Sequence, residues 1–327
     1  MLAIHRNKTL SVDDTFLALD IGGTNVTCGL VSRLGLVLAT DIFKTGLRSG
    51  PEELIALIIT RMKALWEQSD EDHRPKALAV GAPGWLKPKE GVVVMAPNIE
   101  GWVDIPITRI MSEALELPAR LENDSNLYAL GEWFGSGQGC DNEITVTLGT
   151  GVGAGLILNG RLWSGSFASA AELGHIPLGP ANKRVCGCGR TGCLETVASA
   201  RGMTKLAREW LEAKKSTKYR GAPDDLDTDV LRELAEKGDK MSLHVFREAG
   251  LALGQVLAGV FNLLSLERAV LGGGAAGAFK FLREPVMEVL KAHLVTARIE
   301  EIQLVKGTLG TNAPLVGAAA LLTAEGF

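Results

Sequence analysis

The sequence contains no run of about 20 uncharged apolar residues, the length that crosses a bilayer as a helix, so no membrane span is predicted. It also lacks a surplus of positive charge. Its 34 lysines and arginines against 38 acidic residues give a net charge of −4. That balance argues against nucleic acid as a partner, because such surfaces carry a basic patch or stripe. Met1 to Thr15 is polar and without the apolar core of a secretory signal, so a cytoplasmic protein is expected. Only 5 cysteines occur, an odd number that suits a reducing compartment better than a disulfide framework. The P-loop pattern and the dinucleotide fingerprint are both absent. What is left is the composition of a globular protein with an ample core, 46% apolar and 22% charged over 327 residues, enough for two domains.

Three of the cysteines fall close together in Cys186-Gly-Cys188-Gly-Arg-Thr-Gly-Cys193-Leu-Glu195, just after Glu172-Leu-Gly-His175. Cys186, Cys188, Cys193 and His175 form a Cys₃His set, enough to close a tetrahedral zinc site. Glycines at 187, 189 and 192 let the backbone turn tightly enough to aim three sulfurs at one point. The plainer alternative is three ordinary thiols, or one disulfide and a spare. It fits less well, because Cys-x-Cys is strained as a disulfide and natural as a chelate. Cys28 and Cys140 stand alone and read as small core or near-surface fillers.

Short apolar runs set the rest of the pattern. Phe16–Asp20, Val26–Val31 and Leu36–Thr40 read as a β-meander whose first hairpin bends around Gly22-Gly23. Pro51 opens an amphipathic helix with Leu54, Leu57, Ile58, Arg61 and Leu65 on one side. Ala77–Gly81 is a buried strand broken by Ala82-Pro-Gly84, residues 91–107 look irregular, and Leu117–Leu121 is another strand. It enters Glu122-Asn-Asp-Ser-Asn126 and a helix over 127–134. The pattern then starts again, with a strand at Ile144–Leu148, a glycine turn at Gly149-Thr-Gly151 and a return strand at 153–158. Asn159-Gly160 is a hairpin signal. Two related α/β domains follow from the repeated module. Beyond the cysteines, the charged segment 212–240 reads as a solvated excursion. A long buried helix through Phe246 to Leu264, a strand at Arg268–Leu271 and an apolar closing helix at Pro314–Ala324 complete the chain.

Three glycine-rich turns, at 22–23, 149–155 and 272–274, each follow an apolar strand. Glycine there permits positive φ and close approach of backbone N–H groups to a polyanion. One such turn would be structural more often than not. Three, with Asp20 and Thr24 at the first and Thr147 and Thr150 at the second, point to a nucleotide. Asp20 suits Mg²⁺ held through water, since that ion keeps part of its hydration shell. Asp124, between a strand and a helix, reads either as a helix N-cap or as a base that takes a hydroxyl proton during phosphoryl transfer.

These pieces together resemble the ROK family of repressors, uncharacterised reading frames and kinases, and its bacterial glucokinases most. The match runs through Asp20-Ile-Gly-Gly-Thr-Asn25, Ala82-Pro-Gly84, Glu122-Asn-Asp124, Leu148-Gly-Thr-Gly-Val-Gly-Ala-Gly155, Glu172-Leu-Gly-His175, the cysteine motif to Glu195, and Leu271-Gly-Gly-Gly274. The resemblance implies an α/β fold of two RNase H-like domains, of the sugar kinase/actin-like ATPase type, around a central cleft with a zinc-binding loop. Residues 1–121 with 312–327 would form the N-terminal domain, onto which the last helix returns, and 122–311 the other. ATP and Mg²⁺ would be held by Asp20, Gly22, Gly23, Thr24 and Asn25 and by Thr147, Gly149, Thr150 and Gly151, with the nucleoside near Gly272, Gly273, Gly274 and Ala275. Sugar hydroxyls would be bound by Asn98, Asn123, Asp124, Glu172, His175 and Glu195, with Gly84 contributing backbone and Asp124 acting as base. One ring nitrogen of His175 would bind a structural zinc and the other would face the sugar. A cytoplasmic homodimer is implied as well.

Where many kinases of the family have glycine before the Glu-x-Gly-His glutamate, this chain has Ala171. The leading expectation is an ATP-dependent hexose 6-kinase acting on glucose, with N-acetylmannosamine, N-acetylglucosamine or fructose as alternatives. A non-catalytic sugar sensor or regulator ranks behind it, because the residues ahead of Asp20 are too few for a winged helix domain. A zinc-ribbon interaction module explains the cysteines but not the repeated glycine loops.

Overall fold

The computed structural model describes residues 14–46, 50–67, 74–135, 140–295 and 299–327. The polar start of the chain, residues 1–13, lies outside them. Contacts group the chain into two units, the first made of Met1–Gly139, Leu162–Ala170 and Thr311–Phe327 and the second of Cys140–Arg161 and Ala171–Gly310.

The first unit begins with β1 (Thr15–Ile21), β2 (Asn25–Ser32) and β3 (Val37–Lys44), the antiparallel meander expected from the sequence. Helix α1 (Pro51–Glu67), β4 (Pro75–Ala82), the short β5 (Trp85–Lys87), β6 (Val92–Met95) and β7 (Val103–Ile105), α2 (Ile107–Leu115), β8 (Ala119–Asn123) and α3 (Asp124–Gly135) follow. The main sheet runs β3-β2-β1-β4-β8, with β4 parallel to β1 and β8 parallel to β4. Strand β1 is apolar on both faces because both are covered. Its Leu17, Leu19 and Ile21 pack with Ile58 and Met62 of α1 and Met111 of α2, whereas Phe16 and Ala18 pack with residues of the C-terminal helix.

The second unit repeats the plan. It holds β9 (Glu143–Leu148), β10 (Val152–Leu158), β11 (Arg161–Leu162), α4 (Glu195–Ala198), α5 (Ala200–Glu212), α6 (Thr228–Glu236), α7 (Lys240–Leu264), β12 (Arg268–Gly272), α8 (Phe279–His293) and β13 (Gln303–Lys306). Its sheet runs β11-β10-β9-β12-β13, the same order of third, second, first, fourth and fifth strand, with β12 parallel to both β9 and β13. Asn159 and Gly160, both at positive φ (53° and 68°), make the hairpin turn that their dipeptide signals.

The last helix, α9 (Ala313–Ala324), returns to the first unit and packs on α3, β1 and β4. It is apolar all round because it is buried all round. Its crossing with α3 is glycine to glycine: a Cβ on Gly131 would lie 1.9 Å from the Ala313 carbonyl oxygen, and one on Gly317 would lie 1.9 Å from that of Leu127. No other residue type fits at either position.

Several expectations need correction. Residues 91–107 are not irregular, since β6 and β7 join β5 in a small antiparallel sheet. Segment 212–240 is not a merely solvated excursion. Within it α6 buries Leu231 and Ala235, and the buried Asp239 carboxylate accepts from Thr217 Oγ1, Lys218 N and Ser242 N. Leu57 lies on the exposed side of α1, and Ile55 and Met62 take the inner positions instead. Of the glycine turns only that at 272–274 uses positive φ, at Gly273 (81°). The described residues 122–135 group with the first unit, so β8's end and α3 do not belong to the second as expected.

Candidate active site

In the first unit the loop between β1 and β2 closes on itself, with Gly22 N donating to Asn25 O at 2.9 Å. Thr45 clamps it from β3's end, its hydroxyl donating to Gly22 O at 2.7 Å and its N–H to Thr24 O at 3.0 Å. Thr45 was not foreseen, because nothing local in the sequence marks it. The glycines here serve close approach rather than unusual φ: a Cβ on Gly22 would lie 2.8 Å from Asn25 O, and one on Gly23 3.0 Å from Asn98 Cβ. Asn98, far off in sequence, therefore sits against the loop. Gly84 takes φ +91°, and a Cβ there would lie 2.2 Å from Met95 O, so this corner admits only glycine.

Asp20 ends β1 beside this loop. Its Oδ1 is buried with no hydrogen-bond partner among the described residues. Burial first, and then the negative charge of Asp124, push its carboxyl up to about 8. A buried oxygen of this kind costs free energy unless a cation or donor meets it. The residues present thus fit a hydrated Mg²⁺. Asp124 opens α3, and its carboxyl is also raised by burial, partly offset by hydrogen bonds from Ser125. Its Oδ1 accepts from Ser125 N at 2.7 Å.

Capping of α3 is chiefly the work of Asn123, whose Oδ1 accepts from Ser125 N (3.0 Å) and Asn126 N (3.2 Å). Glu122, one step earlier, is buried and pushed up by burial. Its Oε1 takes Asn123 N at 2.8 Å and Asn126 Nδ2 at 2.9 Å. In the sequence Glu122 stands out only as part of its motif.

The second unit brings its own set together. Gly149 N donates to Gly151 O at 3.0 Å, and Ala200 N donates to Gly149 O at 2.8 Å, pinning this loop to the start of α5. A Cβ on Gly273 would lie 2.6 Å from Leu148 O, so the 272–274 loop lies directly against the 149–151 loop. Gly274 is open, whereas the Ala275 side chain is buried and presents only backbone. A Cβ on Gly151 would lie 2.9 Å from Glu195 Oε2, which joins the glycine loop to the cysteine stretch.

Glu172-Leu-Gly-His175 forms a single helical turn packed on β10. Its glycine is a steric need, since a Cβ on Gly174 would lie 2.2 Å from Val152 O. Ala171 holds φ +62°, a left-handed conformation in which glycine has no Cβ penalty. His175 Nδ1 faces the Cys186 sulfur at 3.6 Å, and Nε2 lies 3.9 Å from Glu172 Oε2. Glu195 Oε1 lies 2.7 Å from the same sulfur.

The four expected zinc ligands lie within 4.8 Å of one another, the one such group among the described residues. Cys188 and Cys193 sulfurs are 3.8 Å apart, unbonded, and all the cysteines are free thiols. That spacing is close to the edge of a tetrahedron with zinc–sulfur bonds of about 2.3 Å. Gly189 and Gly192, at φ 84° and 88°, turn the loop, while Gly187 needs no such freedom. A hydrogen bond from the Arg190 backbone favours the Cys188 thiolate, the form that binds metal. The donor set and its spacing fit zinc.

Two sheets of one strand order, each ending its first strand in a glycine turn, define an α/β protein of the sugar kinase/actin-like ATPase class. Residues 16–325 match the model of the ROK family, and the chain belongs to that family. It is 33% identical over 310 residues to the glucokinase of Thermotoga maritima, covering 94% of this chain and 96% of that one. A ROK family glucokinase from Streptomyces griseus, solved in complex with glucose and AMPPNP, has the same fold, with a TM-score of 0.81, 32% identity and coverage of 94% and 98%. The N-acetylmannosamine kinase of Yersinia pseudotuberculosis is 31% identical over 270 residues, 83% of this chain and 86% of that one. No helix among the described residues is long and apolar enough to cross a membrane.

Proposed function

We propose that this protein is an ATP-dependent sugar kinase that phosphorylates the 6-hydroxyl of a hexose, with glucose as its first substrate. The observation that carries this reading is the carboxylate pair of the first unit. Asp20, with its orphaned buried oxygen, stands at a glycine loop, and Asp124 stands at the head of α3, each raising the need for a partner. A phosphoryl donor with its cation meets the first need and a sugar hydroxyl meets the second.

In the proposed reaction Asp124 orients the 6-hydroxyl and takes its proton as the oxygen attacks the γ-phosphorus. The new oxygen–phosphorus bond forms while the bond to the β-phosphate oxygen breaks, and ADP leaves with that electron pair. Most of the catalysis is positioning and charge stabilisation. Mg²⁺ bound near Asp20 would neutralise charge on the phosphates. Gly22, Gly23, Thr24 and Asn25 of the first unit, with Thr147, Gly149, Thr150 and Gly151 of the second, offer backbone amides and hydroxyls for those phosphates. The nucleoside is assigned to the backbone of Gly272–Ala275. Asn98, Asn123, Glu172, His175 and Glu195 are assigned to the sugar, with Gly84 shaping the corner beside Asn98.

Asn123 already spends its Oδ1 on the α3 cap, which leaves the amide Nδ2 to donate to a sugar oxygen. His175 is assigned to zinc through Nδ1, leaving Nε2 as a fixed donor toward the sugar. Such a zinc would be structural, since four protein ligands leave no open position. Kinship with the family supports a cytoplasmic homodimer.

The Yersinia relative favours a second reading, in which an N-acetylated amino sugar is the acceptor. A coupled assay of ADP release over glucose, mannose, fructose, N-acetylglucosamine and N-acetylmannosamine decides between them. Turnover highest with glucose is expected. No turnover with any of the five sinks the kinase reading.

A further inference from the structure

We propose that Glu122 is a positioning residue through which the Leu162–Ala170 segment acts on the Asp124 turn; the proposal rests on the kinase reading above. Glu122 sits at the end of β8 and its two carboxylate oxygens face different partners. Oε1 holds the turn that presents Asp124, accepting from Asn123 N at 2.8 Å and from Asn126 Nδ2 at 2.9 Å. Oε2 accepts from the Ser164 hydroxyl at 3.4 Å. One carboxylate thus links the segment to the backbone just before the base and to the Asn126 side chain two residues after it.

The segment is built to move at little cost. It belongs to the first unit, although the residues on both sides of it belong to the second. It carries Phe167 and Trp163, 85% and 54% exposed, so little apolar burial anchors it. Ala168 stands at φ 52°, and the turn is closed mainly on itself by Ala170 N donating to Ser164 O at 3.1 Å. At 3.4 Å the Ser164–Glu122 bond is longer than a settled O–H···O bond of about 2.7 Å. Bonds of this kind in free enzymes often tighten when substrate is bound. The segment also leads directly into Ala171 and Glu172, the first residue of the second unit assigned to the sugar. A sugar that fixes Glu172 would restrain the segment, shorten the Ser164 bond and steady the carboxylate that holds the Asp124 turn. Burial of Glu122 and its raised pKa agree with a group whose hydrogen bonds, rather than solvent, set its position.

Three variants test this, each checked for a cooperative melt: Ser164→Ala, Glu122→Gln and Glu122→Ala. Ser164→Ala is expected to raise the KM for glucose about 5–20-fold with the KM for ATP unchanged and kcat within about 3-fold of wild type. Glu122→Ala is expected to lower kcat about 100-fold, and Glu122→Gln to restore it to within about 5-fold, because the amide keeps the Oε1 acceptor. Hydrogen exchange gives a readout independent of turnover. Glucose should protect peptides covering 162–170 in the wild type and fail to do so in Ser164→Ala. A Ser164→Ala protein with wild-type glucose KM and wild-type protection overturns the proposal, as does a folded Glu122→Gln protein as slow as Glu122→Ala. If the wild type itself phosphorylates no hexose, the kinase reading falls and takes this one with it. Wild-type turnover with an unaltered Ser164→Ala protein removes this one alone.

Discussion

The two units share a frame and differ in what they hang on it. In the first, Asp20 is the last but one residue of the opening strand and pairs in register with Gly81 of the fourth. In the second, Thr147 has that place and pairs with Gly272. The same backbone geometry therefore presents a carboxylate in one unit and a hydroxyl in the other, each opposite a glycine that leaves room. A buried carboxylate calls for a cation, whereas hydroxyls and loop amides suit phosphate oxygens. Helix pairing differs in the same manner. The α3–α9 pair interlocks glycine with glycine, while in the α7–α8 pair only α7 supplies glycine, Gly250 and Gly254 making room for Pro285 and Val289. The two sheets thus keep one strand order and differ in the side chain near the end of the opening strand.

Four substitutions would break or sharpen this contrast. Asp124→Ala removes the proposed base of the first unit, and kcat should fall about 10²–10⁴-fold while glucose binding by calorimetry is largely kept. Near-wild-type turnover would refute the assignment. Cys188→Ser attacks the Cys₃His cluster, which among the described residues only the second unit holds. Elemental analysis of protein prepared without chelator should give about one zinc per wild-type chain and less in the variant, with the glucose KM raised about 10-fold. A folded variant with normal KM would reduce the zinc to a staple.

Asp20→Asn makes the first turn neutral, like the second. Its carboxyl is held up to about 8, so between the ordinary carboxylate range and pH 8 the folded chain keeps a proton that the unfolded chain has lost. Stability consequently falls as pH rises through that window. The variant should melt about 2–5 °C higher than wild type at pH 8, with the gap closing toward pH 4. A gap independent of pH would mean that Asp20 is not the titrating group. The smallest effect is expected at Ala171, the residue ahead of the Glu172-Leu-Gly-His175 turn. Ala171→Gly relieves a left-handed φ and should raise the melting temperature by about 1–3 °C. A fall in melting temperature would show that the alanine is not strained.

Much of the molecule was legible from local pattern. Strand, glycine turn and return strand were visible twice, and α9 announced its burial by being apolar all round. The Cys₃His spacing singled out four residues that the structure holds within 4.8 Å of one another. Elements with weak local signals were missed. Strands β5 to β7 are three or four residues long, and Pro97 and Gly101 fall in the connection between β6 and β7, so each is too short for a period of two to register. In the charged 212–240 segment the buried side of α6 rests on few residues, and Asp239 looks like any acidic residue until its partners are seen. Glycine was expected to supply positive φ in the phosphate-type turns, whereas Gly22, Gly23 and Gly151 serve close approach and only Gly273 combines it with positive φ.

The sequence by itself determined the family, the repeated module, the Cys₃His cluster and the two aspartates, because each is written in residues near one another along the chain. Tertiary structure alone decided what those residues can do. It gave the α3 cap to Asn123 and set Asp124 close enough to Asp20, far off in sequence, for its charge to raise the Asp20 carboxyl. It laid Gly174 on Val152 and Gly273 on Leu148, and it brought Ser164 to Glu122. Desolvation, close backbone approach and hydrogen bonds between distant segments depend on packing, and no local pattern encodes them.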